Sequence, residues 1–74
     1  MKISVKLFAF YRTGRFSAAT QEYLTDTRVA DVVHALKIPE ADLGIVLING
    51  RFVELDRILK EGDELSLFPM VGGG

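Results

Sequence analysis

The chain has 74 residues, with nine basic and ten acidic side chains and no cysteine. This length allows one domain with a small core, and a net charge near zero removes the electrostatic basis for nucleic-acid binding. Without cysteine the chain has neither disulfides nor thiolate chemistry, which fits a cytoplasmic location. No apolar run is long enough to span a bilayer, so we expect no membrane association.

Alternating apolar and polar side chains open the chain. Residues 2–11 follow a period of two, which predicts a first strand with Phe8 and Phe10 on the face opposite the core. After a loop with Gly14, residues 18–25 alternate more weakly and are consistent with the second strand of a hairpin.

A single amphipathic helix follows. Thr27 is the expected N-cap, and Pro39 ends the segment because the residue before a proline avoids the helical region. Between them, one apolar stripe at helical spacing is formed by Val29, Val32, Val33 and Leu36.

The second half of the chain is predicted to form short strands. Residues 45–48 are an apolar run typical of a strand buried on both faces. Asn49 and Gly50 follow, a pair that favours a tight type I′ hairpin turn. A last strand is predicted over residues 64–68, and Pro69 marks its end because proline cannot donate to the ladder.

This element order predicts an α+β roll in which one helix packs on one face of a mixed four- to five-stranded sheet. We assign residues 1–71 to this domain and residues 72–74 to a flexible glycine tail. The predicted core consists of Ile3, Val5, Leu7, Val29, Val32, Val33, Leu36, Leu47, Leu59, Leu65 and Leu67.

The chain end and one aromatic cluster are the candidate functional features. Gly72, Gly73 and Gly74 lack side chains, which suits a tail that enters a narrow slot, although a frayed end is the simpler interpretation. Phe8, Phe10 and Phe68 would form an exposed apolar patch near the tail if the first and last strands are neighbours. Such patches often mark interaction surfaces; the alternative is that these rings belong to the core or are covered by the loop at 11–18.

Three motifs carry a resemblance to a known family. The pattern L-x-x-G-D-x-L-x-L-F-P over residues 59–69, followed by the glycine end, resembles the small β-grasp, ubiquitin-like sulfur carriers (MoaD/ThiS) of molybdopterin and thiamine biosynthesis. The segments K-L-F-A at 6–9 and V-L-I-N-G at 46–50 are also similar. The Phe68-Pro69 pair favours the members of this family that act in molybdopterin biosynthesis. Met70, where many members have a second proline, and the third glycine depart from the pattern and leave the pathway open.

The resemblance implies chemistry at the chain end. A ubiquitin-activating-like enzyme would use ATP to adenylate the carboxylate of Gly74, and a sulfur donor would convert the adenylate to a thiocarboxylate. Adenylation is needed because a free carboxylate is a poor acyl donor. The chain would therefore be a co-substrate that binds no metal or cofactor of its own, and not an enzyme.

The resemblance also implies docking partners: the activating enzyme, and the large subunit of a molybdopterin synthase or a thiazole synthase. The candidate docking residues are Phe8, Phe10 and Phe68, together with Pro69 and Met70 at the root of the tail.

Other functions remain open at this point. A thiamine-pathway carrier is the nearest alternative, followed by a ubiquitin-like modifier joined to other proteins through Gly74. A binding module with an inert tail is a third. A stand-alone enzyme is disfavoured because no nucleophile–base pair or metal set is visible: His34 is interpreted as a surface residue, and Gly14 and Gly44 as loop positions.

Overall fold

The computed structural model describes residues 1–70. The predicted tail residues Gly72, Gly73 and Gly74, and the domain boundary after residue 71, lie outside this range. The elements in chain order are β1 (Lys2–Leu7), a first 3₁₀ helix (Ala9–Arg12), β2 (Ala18–Glu22), α1 (Val29–Ala35), a second 3₁₀ helix (Glu40–Asp42), β3 (Leu43–Ile48), β4 (Arg51–Phe52) and β5 (Glu64–Pro69).

The strands form one mixed sheet in the order β2-β1-β5-β3-β4. The neighbouring strands β1 and β5 are parallel, and every other neighbouring pair is antiparallel. The helix α1 covers one face of this sheet, which confirms the predicted α+β β-grasp architecture. None of the helices within residues 1–70 is long and apolar enough to cross a membrane.

The core lies between α1 and the sheet. The predicted burial of two core residues is too high. Leu36 is only half-buried at the edge of the core, and Leu47 is half-buried on the other face of the sheet. Three core residues were not predicted, Tyr11, Ile38 and Ile48. The fully buried side chains of the core are Ile3, Val5, Leu7, Val29, Val32, Val33, Leu65 and Leu67.

The first strand is shorter than the predicted range 2–11. It ends at Leu7 because Ala9 adopts a left-handed φ of 52° and starts the first 3₁₀ helix. That conformation is unusual for a residue with a Cβ and turns the chain out of the sheet. Phe10 therefore lies on the 3₁₀ helix, so its predicted place on the strand face beside Phe8 is wrong.

The helix begins with a different cap from the predicted Thr27. The Thr27 hydroxyl donates back to the Leu24 carbonyl at 2.7 Å, and Arg28 is the N-cap. The Asp31 carboxylate accepts the Arg28 N–H at 2.8 Å, which satisfies a donor at the start of the helix. The helix ends at Ala35, ahead of Pro39.

The β3 strand is not buried on both faces, contrary to the prediction for residues 45–48. Ile45 is 42% exposed because α1 covers only the opposite face of the sheet. The hairpin turn after β3 is confirmed: Asn49 and Gly50 have φ values of 52° and 83°, as a type I′ turn requires.

Candidate functional site

The face of the sheet without the helix, here called the open face, carries an apolar patch. Cross-strand pairing places Lys6, Ser66, Leu47 and Phe52 side by side across four strands. Two positions further along β5, Phe68 pairs with Ile45. The apolar patch is therefore formed by four side chains from β3, β4 and β5 and by the residue that follows β1: Ile45, Leu47, Phe52, Phe68 and Phe8.

Phe8 and Phe68 form a stacked aromatic pair within this patch. Their rings stack with centroids 4.1 Å apart and an interplanar angle of 24°. The guanidinium carbon of Arg12 lies 5.5 Å from the centroid of the Phe8 ring, within the range of a cation–π interaction. Arg12 is held there by its Nε, which donates to the Leu7 carbonyl at 2.8 Å. Phe8 and Phe68 are thus neighbours, as predicted, and the Arg12 guanidinium lies beside them.

The other predicted docking residues are placed differently. Phe10 is 56% exposed and packs edge-on against Tyr11, with ring centroids 5.4 Å apart. Pro69 is buried, so its side chain is not available at the surface, whereas Met70 is 59% exposed. Ile45 and Leu47 were missed as patch residues because the apolar run at 45–48 was interpreted as fully buried, and Phe52, on β4, was not assigned to either face. The sequence carries no signal for the exposure of Ile45 and Leu47, because all four residues of the run at 45–48 are apolar.

The end of β5 is fixed by the segment that leads into β3. The Met70 N–H donates to the Asp42 carbonyl at 2.8 Å, and Leu43 pairs with Pro69. Between Leu43 and Ile45 the pairing with β5 shifts by a β-bulge, and Gly44 lies at this irregularity. The earlier interpretation of Gly44 as a loop position is wrong, since it lies within β3.

Tyr11, on the first 3₁₀ helix, has a buried side chain whose hydroxyl has no hydrogen-bond partner among residues 1–70. Burial raises the pKa of Tyr11 above 10.0, and the Asp42 carboxylate adds to this rise, while Arg15 opposes it. At neutral pH the hydroxyl is therefore protonated and uncharged.

His34, on the helix, contacts the carboxylate of Glu40 and lies at the exposed surface, as predicted. In the part of the chain that the structure describes, no group of three or more metal-binding side chains is placed to hold an ion.

Comparison with known proteins gives a consistent result. A sequence model of the ThiS family matches residues 5–74. Comparison with curated proteins gives no significant match. The structure is similar to a putative molybdopterin converting factor, subunit 1, from Pyrococcus furiosus, with 30% identity, a TM-score of 0.76, and coverage of 96% of this chain and 99% of that one.

Two further solved structures are similar. Small archaeal modifier protein 1 (SAMP1) from Haloferax volcanii is 29% identical, with a TM-score of 0.75 and complete coverage of both chains. The fold is also shared with a chain in the complex of subunits 1 and 2 of the molybdopterin-converting factor from Helicobacter pylori, with 21% identity, a TM-score of 0.67 and complete coverage of both chains. The chain therefore belongs to the ThiS family, whose small ubiquitin-like members are sulfur carriers or, as in SAMP1, modifier proteins.

Proposed function

We propose that this protein is a sulfur carrier whose Gly74 carboxylate is adenylated and then converted to a thiocarboxylate, in the service of molybdopterin synthesis. The observation that carries the proposal is the position of the apolar patch. Phe8 and Phe68 stack beside the end of β5, and Phe68 precedes Gly74 by only six residues. A protein that docks on this patch therefore lies next to the point where the chain leaves the domain.

The chemistry requires activation because a carboxylate has no good leaving group. In the proposed first step, a carboxylate oxygen of Gly74 attacks the α-phosphorus of ATP, which forms an acyl-adenylate and releases pyrophosphate. The terminal sulfur of a persulfide then attacks the carbonyl carbon and AMP leaves, which forms an acyl disulfide. A thiol cleaves the S–S bond, which leaves the thiocarboxylate and a new disulfide. ATP, the persulfide and the thiol belong to partner proteins, and this chain supplies the carboxylate and the docking surface.

The choice of pathway rests on similarity. The Pyrococcus furiosus protein described as a molybdopterin converting factor subunit is 30% identical over nearly the whole chain. The Helicobacter pylori complex holds a protein of the same fold against a second subunit. We therefore propose that the partners of this chain are a ubiquitin-activating-like adenylating enzyme, a sulfur donor and the large subunit of a molybdopterin synthase. A thiamine-pathway role, with a thiazole synthase as acceptor, is the alternative within the same family.

The test is the intact mass of the purified 74-residue protein after incubation with ATP, its adenylating enzyme and a sulfur source. We expect a mass gain equal to the replacement of one oxygen by one sulfur. A variant that lacks Gly74 should show no gain while its unfolding temperature stays close to that of the parent. An unchanged mass with an enzyme that modifies its own known carrier would contradict the proposal. Reconstitution with a molybdopterin synthase large subunit or a thiazole synthase then separates the two pathways.

A second candidate function is protein modification, favoured by the 29% identity to SAMP1 over the full length of both chains. In that case Gly74 would form an amide with lysine side chains of other proteins. Cells that express a tagged copy should then contain a ladder of conjugates, and deletion of Gly74 should remove it. Thiocarboxylate formation without conjugates would favour the carrier function alone.

A further inference from the structure

Glycine is required at position 44 because the backbone of β5 lies too close for a side chain, and not because of a left-handed φ. The other three glycines within residues 1–70, at positions 14, 50 and 62, have φ values of +71°, +83° and +83°, and a methyl group at any of them would meet no atom within 4 Å. At Gly44 a methyl group would lie 2.8 Å from the Pro69 carbonyl oxygen and 3.0 Å from both the nitrogen and the Cα of Met70. All three neighbours are backbone atoms, so a larger residue has to displace the chain at the end of β5.

A hydrogen bond fixes the same two residues from the other side. The Met70 N–H donates to the Asp42 carbonyl at 2.8 Å, and Asp42 is itself anchored because its N–H donates to the Pro39 carbonyl at 3.0 Å. The bulge at Gly44 lets the backbone of β3 approach that of β5 at this point. We refer to residues 42–44 as the tail clamp, since they hold the last described residues before the glycines.

Core packing does not explain the clamp. Gly44 is exposed to solvent and Met70 is 59% exposed, so neither belongs to the hydrophobic core. Leu43 packs against the core, but Gly44 and the Asp42 carbonyl contact the backbone of residues 69 and 70, so these two contacts do not depend on the side chain at Met70. What the clamp controls is the position and direction of the chain at the end of the domain.

We propose that the tail clamp is a positioning element: Gly44 and the Asp42 carbonyl set the direction in which the chain leaves β5, and so place the Gly74 carboxylate for attack on ATP. This inference rests on the proposed carrier function. Met70 is four residues from Gly74, so the direction of the chain at residue 70 limits where the Gly74 carboxylate can lie relative to the docked domain. Displacement of a reacting group by about 1 Å can cost about 100-fold in rate. Docking itself uses the apolar patch, so the clamp affects the rate of the chemical step and leaves affinity for the enzyme largely unchanged.

The experiment compares Gly44→Ala with the control Gly14→Ala in the full-length protein. The control strains a left-handed φ of +71° in open space, which lowers stability and leaves the end of β5 in place. For each variant we would measure affinity for the adenylating enzyme, kcat and KM for pyrophosphate exchange, and hydrogen–deuterium exchange of the Met70 amide. Gly44→Ala should speed exchange of that amide and lower kcat by about 10- to 100-fold, with affinity within about twofold of the parent; Gly14→Ala should change neither kcat nor Met70 exchange.

A second pair of variants keeps the test decisive if Gly44→Ala does not fold. Asp42→Pro removes the N–H that anchors Asp42 to the Pro39 carbonyl, whereas Asp42→Asn keeps it with a side chain of the same size. We expect kcat to fall for Asp42→Pro relative to Asp42→Asn. A parental kcat in either Gly44→Ala or Asp42→Pro, or a loss confined to binding affinity, would overturn the clamp. If the parent protein is not adenylated at all, the carrier function itself fails, and that result is distinct from an active parent with an active Gly44→Ala variant.

Discussion

Phe8 and Phe68 stack at a centroid distance of 4.1 Å although sixty residues separate them in the chain. The parallel pairing of β1 with β5, in which Leu7 lies opposite Leu67, brings them together. Leu7 and Leu67 therefore enter the core on one face of the sheet, while the rings of Phe8 and Phe68 lie on the other face. The same pairing that builds the core thus builds the centre of the apolar patch.

Removal of one of these rings should weaken docking more than it weakens the fold. Phe68→Ala loses the stack on Phe8 and its contact area with a partner, and buried aromatic anchors of interfaces commonly contribute 2 kcal/mol or more, which corresponds to about a 30-fold loss of affinity. We expect a loss of this size in binding to the proposed adenylating enzyme, measured by calorimetry on folded protein. Leu24→Ala is the matched control, because Leu24 is 84% exposed after β2, at the far edge of the sheet. Equal affinities for the two variants would exclude the apolar patch as the docking surface.

The elements that a sequence predicts well here are those with local signals. The alternation of β1, the apolar stripe of α1 and the Asn49-Gly50 turn each depend on neighbouring residues, and the structure confirms all three. The first strand was predicted too long because Phe8 and Phe10 continue the alternation, whereas the left-handed φ at Ala9 leaves no pattern in the sequence.

The candidate site was predictable only in part, because its key contacts join distant segments. Phe8 and Phe68 follow from the patterns of the two strands once these are taken as neighbours. The exposure of Ile45 depends on which face the single helix covers, and an apolar run of four residues does not reveal this. The close approach of Gly44 to Pro69 and Met70 depends on a bulge between two strands, so a sequence shows the glycine without its cause.

Asp63 should stabilise the turn into β5. Its side chain is 6% exposed, and its carboxylate accepts the Lys60 N–H at 2.8 Å and the Asn49 Nδ2 at 3.1 Å. Asp63→Asn replaces one acceptor oxygen with an NH₂ group that faces a donor, so a buried hydrogen bond is lost and the free energy of unfolding should fall by about 1–3 kcal/mol. Urea unfolding checks this value. Glu54→Gln, at an exposed position, is the control and should unfold like the parent; an Asp63→Asn midpoint equal to that of the parent would refute the assignment.

Arg15 should act as a cap for the end of α1. Its Nε donates to the Leu36 carbonyl at 3.1 Å and its Nη1 to the Tyr11 carbonyl at 3.3 Å, which joins the helix to the first 3₁₀ helix. A cation at this end also complements the helix dipole. Arg15→Met keeps much of the aliphatic stem and removes these bonds, so we expect a loss of about 1 kcal/mol in unfolding free energy. The exposed Arg51, changed to Met, serves as the control for loss of one positive charge, and a comparable change in both variants would argue against a capping role.

Tyr11 should make the fold sensitive to alkaline pH. Burial, aided by the Asp42 carboxylate, raises the pKa of Tyr11 above 10.0 in the folded state, and burial also raises the pKa of Tyr23. A pKa that is higher in the folded than in the unfolded state means that the folded protein holds the proton more tightly. The resulting stability is therefore fully present below pH 10 and is lost as the pH rises from there through the folded-state pKa.

Tyr11→Phe isolates this contribution and also tests the unpaired hydroxyl. The variant removes a buried polar atom that has no hydrogen-bond partner within residues 1–70, so it should be as stable as the parent at pH 7 or more stable, by up to about 1 kcal/mol. Above pH 10 it should lose less stability than the parent, and the remaining loss should disappear largely with Tyr23→Phe. Urea unfolding at pH 7 and at several alkaline values, with tyrosinate absorbance followed in parallel, measures both effects. A Tyr11→Phe variant that is clearly less stable at pH 7 would show that the hydroxyl is paired in solution, and parallel alkaline profiles would show that Tyr11 does not control the loss.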